Sequence, residues 1–135
     1  MRWNRSRVAL LVLLAGVATV ACIRLSFTNL PPETPVLTVI SDHGSLSQPC
    51  TLAVSTTDPE GDSVAFQTAV SSAGFYYEYL DWTVYVASGR CCTLLLLANY
   101  EGSYEVRLRA RDTQNDSTNF GAPETLVFAS GTNPR

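Results

Sequence analysis

From Val36 onward the chain runs in short stretches where apolar and polar residues alternate, the period of a β-strand with one buried face. Residues 36–40 (VLTVI) open the series. Cys50, Leu52 and Val54 then alternate with Thr51, Ala53 and Ser55, and residues 63–70 place Val64, Phe66, Thr68 and Val70 together. Residues 75–86 (FYYEYLDWTVYV) align Leu80, Trp82, Val84 and Val86, whereas residues 91–97 (CCTLLLL) are apolar on both faces, as in a central strand, with a short helix the alternative that periodicity leaves open. The plainest strand is 103–112, with Tyr104, Val106, Leu108 and Ala110 on one side and Glu105, Arg107, Arg109 and Arg111 on the other. Residues 124–130 close the set. Residues 41–48 (SDHGSLSQ) read as a polar loop. With about seven short strands, turn residues between them and no helical period, residues 36–130 are expected to form an all-β fold, one antiparallel β-sandwich.

The N-terminus has a different texture. Arg2, Arg5 and Arg7 precede an apolar run from Val8 to Val20 that ends in Ala21 and Cys22. The run is shorter than the roughly 20 residues of a membrane-spanning helix and matches the basic, apolar and small-residue regions of a secretory signal. Its end, TVAC, resembles the lipobox of bacterial lipoproteins. That resemblance implies a signal peptide over residues 1–21, a lipid on Cys22 and a lipid-anchored place in the cell envelope, at the outer membrane of a Gram-negative cell; ordinary secretion is the alternative. Residues 22–35, with Pro31, Pro32 and Pro35, read as an extended tether, and residues 131–135 as a tail.

Charge narrows the possible partners. Loss of residues 1–21 leaves six basic against twelve acidic residues, a net −6. Sequence-independent nucleic-acid binding needs clustered positive charge, so this class is set aside. The single histidine, His43, lies in a polar loop, and the chain has no G-x-S-x-G elbow, no H-E-x-x-H pair and no phosphate-binding glycine loop. The expectation is a non-catalytic protein.

The stretch STTDPEGDSVAFQ, followed about forty residues later by GSYEVRLRARD, resembles PKD modules and related immunoglobulin-like or fibronectin type III-like domains of bacterial surfaces. The likeness covers roughly residues 34–129. It implies the immunoglobulin-like sandwich, with the strands at 50–56 and 91–97 as antiparallel neighbours. Cys50 would then lie roughly 20 Å from Cys92, beyond disulfide reach, so no Cys50 bridge is expected. The WDFGDG run of PKD modules is missing, and EYLDWTVYV stands in its place.

Two constellations carry the functional expectations. Asp58, Glu60 and Asp62 in TDPEGD, with Asp112 from the end of the long strand, either form a turn or offer oxygens to calcium, as equivalent aspartates do in some of the resembled modules. No other cofactor is implied. Phe75, Tyr76, Tyr77, Tyr79, Trp82 and Tyr85, with the stripe Arg107, Arg109 and Arg111, offer a stacking and anion-gripping surface for a protein or glycan. The plainer alternative buries Trp82 in the core and leaves the arginines as a solvated face paired with Glu105 or Glu78. The function expected is a lipoprotein that presents the sandwich for protein or glycan binding, the rival being a spacer or envelope-assembly subunit with no ligand of its own.

Overall fold

The computed structural model describes residues 28–72 and 76–130, so the expected signal peptide over residues 1–21, the expected lipidation site Cys22, residues 22–27 of the tether, Phe75 and the tail lie outside the described residues. The strands are β1 (Val36–Ser41), β2 (His43–Ser45), β3 (Cys50–Ser55), β4 (Val64–Ser71), β5 (Glu78–Tyr79), β6 (Cys92–Leu96), β7 (Gly102–Asp112) and β8 (Glu124–Ala129). They form two sheets, β1-β3-β6 and β2-β8-β7-β4-β5, antiparallel except where β2 runs parallel to β8. The expected sandwich is therefore what the chain adopts.

Alternation explains why the sheets pack. Cys50, Leu52 and Val54 of β3 and Val106, Leu108 and Ala110 of β7 are all buried, and they join Val64, Phe66, Leu126 and Phe128 in two adjoining clusters between the sheets. Burying each of the Val, Leu and Phe side chains among them contributes about 1.5–3 kcal/mol. Tyr104 meets Phe128 edge-on at 5.6 Å, and its hydroxyl donates to the Tyr100 carbonyl at 2.8 Å, pinning the loop before β7.

Three expectations need correction. The polar loop at 41–48 contains β2, which forms because Gly44 lies so close to Phe128 and the Gln48 carbonyl that a Cβ would sit 2.7–2.9 Å from them. Strand 75–86 keeps regular pairing only at β5. The proline-rich stretch is not free from Asn29 on: Glu33 donates its amide to Thr57 O at 2.9 Å, and Pro32 and Pro35 are buried.

β3 and β6 are antiparallel neighbours, as the resemblance implied, with Cys50 opposite Leu96 and Cys92 opposite Val54, but β6 stands at the edge of its sheet and is not the central strand its two apolar faces suggested. That register sets Cys50 four residues, or about 13 Å, from Cys92 along the sheet. Cys50, Cys91 and Cys92 are all free thiols.

Candidate functional site

The outer face of the five-stranded sheet carries Arg107, Arg109 and Arg111 of β7, directly beside Ala69, Gln67 and Ala65 of β4. Ala65 and Ala69 point outward, yet they are 0% and 1% exposed. What covers this face is the segment after β5. It follows β4 through bonds from Leu80 N to Thr68 O (2.9 Å), Thr83 N to Phe66 O (2.9 Å) and Val86 N to Val64 O (2.8 Å). The segment thus advances three residues for every two on β4, a run of bulges that a period of two cannot describe.

That stride decides where the aromatic rings go. Tyr79, Trp82 and Tyr85, spaced by three, all reach the arginine side, while Val84 is 81% exposed. The Arg107 guanidinium lies 4.8 Å from the Tyr77 ring. Arg109 lies 5.2 Å from Trp82 and 4.8 Å from Phe120, and Arg111 lies 4.3 Å from Trp82 and 5.8 Å from Tyr85. Each such contact contributes about 0.5–1 kcal/mol where partly exposed. Tyr79 joins the row through Phe120 at 5.6 Å. Trp82 is accordingly not a core residue: it is a rung in a ladder of alternating cations and rings.

The arginines find few polar partners. Gln67 Oε1 accepts from Arg109 Nε at 2.9 Å and from Arg109 Nη2 at 2.7 Å. The expected ion pairs with Glu105 and Glu78 do not form, and among the described residues the one carboxylate–cation contact is Asp42 with His43. Glu105 instead accepts a 2.8 Å hydrogen bond from the Tyr77 hydroxyl, which with desolvation raises the Tyr77 phenol above its ordinary range. Arg107 Nε and Arg111 Nε are buried without a partner. The result is three positive charges in a row, fixed by rings and not neutralised by neighbouring acids.

Tyr77, Tyr79, Trp82, Arg107 and Arg109, expected from the sequence as one surface, are thus brought together. Tyr85 and Arg111, expected in the same surface, join them, whereas Tyr76 stays 90% exposed. Phe120 and Gln67 were missed as members; Phe120, in the connection before β8, carries no signal in the sequence.

The acidic residues meet a different end. Asp58 Oδ1 accepts from the amides of Glu60 and Asp62, both at 3.0 Å, and Gly61 takes φ 80°, so TDPEGD closes on itself as a turn. Asp112, fully buried, caps its own turn in the same way, accepting from Gln114 N at 2.8 Å and Asp116 N at 3.0 Å. The two turns lie side by side, but amides stand between their carboxylates. Asn29 Nδ2 donates to Asp112 and Asp116 at 2.6 Å each, and Gln114 Nε2 reaches Asp62 at 3.4 Å. Glu60 faces the Leu30 amide at 3.4 Å. Among the described residues, no group of three or more His, Cys, Asp or Glu side chains is placed to hold a metal ion.

His43 Nδ1 lies 2.6 Å from Asp42 Oδ1, and both side chains are exposed. That hydrogen bond holds the Asp42 carboxyl below its usual range. Ser45 is occupied with Ser47 and Gln48, so the neighbourhood forms a local surface cluster without the convergence of a triad.

The PKD domain of an M14-like peptidase from Thermoplasmatales archaeon SCGC AB-540-F20 is similar at TM-score 0.58 and 25% sequence identity, covering 75% of this chain and 98% of that one. The fold is PKD-like. No family model and no curated protein matches the chain. EYLDWTVYV, which replaces the expected PKD run, is the segment that strides along β4 and supplies Tyr79, Trp82 and Tyr85 to the ladder.

Proposed function

We propose that this PKD-like domain is a non-catalytic binding module of the bacterial cell envelope and that the arginine–aromatic ladder is its receptor face. The chain would be anchored to the membrane by lipid on Cys22. The face takes anionic groups, uronate-type sugars of a glycan or the carboxylates of an acidic protein segment. One observation carries this reading: Arg107, Arg109 and Arg111 project from one strand with no carboxylate within ion-pairing distance among the described residues. A row of guanidinium groups held by rings loses little conformational freedom when it meets a carboxylate, and each presents a planar fork of donors. The adjacent aromatic faces suit the apolar side of a sugar ring.

The test is calorimetric titration of residues 22–135, with Cys22→Ser, using a polyuronate oligosaccharide and a Glu-rich peptide. Binding that weakens at least tenfold in Arg107→Gln/Arg111→Gln, weakens less in the double Lys variant, which keeps the charge but not the planar fork, and falls with added salt supports the proposal. Absence of binding to either probe at low salt would favour the spacer.

A further inference from the structure

We propose that the three-stranded sheet pairs with a second copy of this chain along the free edge of β6, giving an antiparallel two-fold dimer with a continuous β1-β3-β6-β6-β3-β1 sheet. The first observation is a contrast among the four sheet edges. β1 is preceded by Pro35 and bulges between Val39 and Ser41. β2 has three residues beside exposed Asp42 and His43, and β5 has two before its pairing turns irregular. Proline, bulges, charge and brevity are the devices that keep an edge from pairing with another chain. β6 has none of them: it pairs with β3 in unbroken register over five residues, contains neither proline nor charge, and has no strand on its other side among the described residues.

The second observation concerns what a partner strand would cover. Leu94 and Leu96 point to the core and pack on it, yet stay half-exposed, as does Cys92. A cavity of about 370 Å³ opens beside the end of β6, lined by Val70, Leu96, Val106 and Leu126 together with Glu78 and Asn99. The outward Leu95 is 63% exposed. A two-fold axis near Leu94 sets Thr93 against Leu95 of the second copy and Cys92 against its Leu96, with Leu94 against itself, so every pair includes at least one leucine and none a charge.

Charge selects the occupant. VLTVIS, CTLAVS and CTLLL contain no charged residue, so this sheet offers nothing to an acidic or basic partner. Two chains of the same negative net charge can meet there without opposing like charges. An isologous contact needs only one self-complementary patch, which β6 supplies.

All eight strands and both core clusters lie within residues 36–129, so residues 22–135 with Cys22→Ser retain the whole fold. Sedimentation velocity in reductant, which prevents crosslinking through exposed Cys91, is expected to show a dimer at micromolar concentration. Thr93→Lys/Leu95→Lys should sediment as a monomer with unchanged circular dichroism. A wild type that stays monomeric into the millimolar range overturns the proposal, as does a variant that remains dimeric. Should the lysines unfold the chain, hydrogen exchange decides: β6 amides of the wild type should lose protection on dilution, and protection independent of concentration would overturn the pairing.

Discussion

Removing the Trp82 indole tests the ladder as a physical object. Trp82 faces two guanidinium groups, at 5.2 and 4.3 Å, worth together about 1–2 kcal/mol. A half-buried indole keeps on the order of 100 Å² from water, about 2.5 kcal/mol at 25 cal/mol per Å². Freeing the side chain returns about 1 kcal/mol of rotamer entropy, so Trp82→Ala should cost about 2.5–3.5 kcal/mol. For a domain of this size that lowers Tm by roughly 10–20 °C. The assay is urea unfolding of residues 22–135, in which Trp82 is the one tryptophan, so circular dichroism replaces fluorescence as the probe. Val84→Ala is the decisive control. Strict alternation from Leu80 to Val86 would put Val84 on the same side as Trp82, but the three-for-two stride leaves it exposed, and its truncation should cost under about 0.5 kcal/mol. Equal losses from the two variants, or a loss below about 0.5 kcal/mol from Trp82→Ala, would refute the ladder.

Other consequences follow from single residues. Asp112→Ala removes a buried carboxylate that caps two amides and accepts from Asn29, and should cost about 3 kcal/mol in urea unfolding. Millimolar calcium should leave Tm unchanged, since no three carboxylates converge among the described residues; a rise that Asp58→Asn abolishes would show otherwise. In a thiol titration with Ellman's reagent, exposed Cys91 should react promptly and Cys50 only on unfolding, because burial pushes its thiol pKa up, with a smaller push from Asp42. The sign of the linked stability follows. Cys50 holds its proton more tightly when folded, so its contribution is fully present below the ordinary thiol pKa of about 8.5 and is lost as pH rises through the higher folded value.

The parts of the fold legible in the sequence were those in which one face is buried and the pairing is regular. β3, β7 and β8 alternate because a single sheet face meets the core, and a period of two records that directly; β4 alternates in residue type although the segment after β5 covers its outer face as well. β2 left no such trace: it is three residues of parallel edge, made possible by the closeness of Gly44 to Phe128, a contact between positions far apart in the chain. The segment after β5 misled for a different reason. Its apolar residues do alternate, but its hydrogen bonds advance by three, so the backbone overrides the pattern and Trp82 leaves the core. The arginine stripe was visible as a stripe. Its lack of carboxylate partners was not, because Glu105 follows the same alternation and only the Tyr77 hydrogen bond diverts it. Similarly, Asp58, Asp62 and Asp112 share one end of the sandwich, as the turn placement suggested. Whether carboxylates converge or are separated by Asn29 and Gln114 depends on a segment that read as free tether.

The ladder as a receptor face is tested most directly by nuclear magnetic resonance of the uniformly labelled domain titrated with the polyuronate oligosaccharide. The Nε–Hε signals of Arg107, Arg109 and Arg111, together with the Trp82 indole N–H, should shift in a saturable way, while the amides of β1 and β3 stay in place. Shifts confined to the turns at residues 58–62 and 112–116, or none at saturating oligosaccharide, would contradict it.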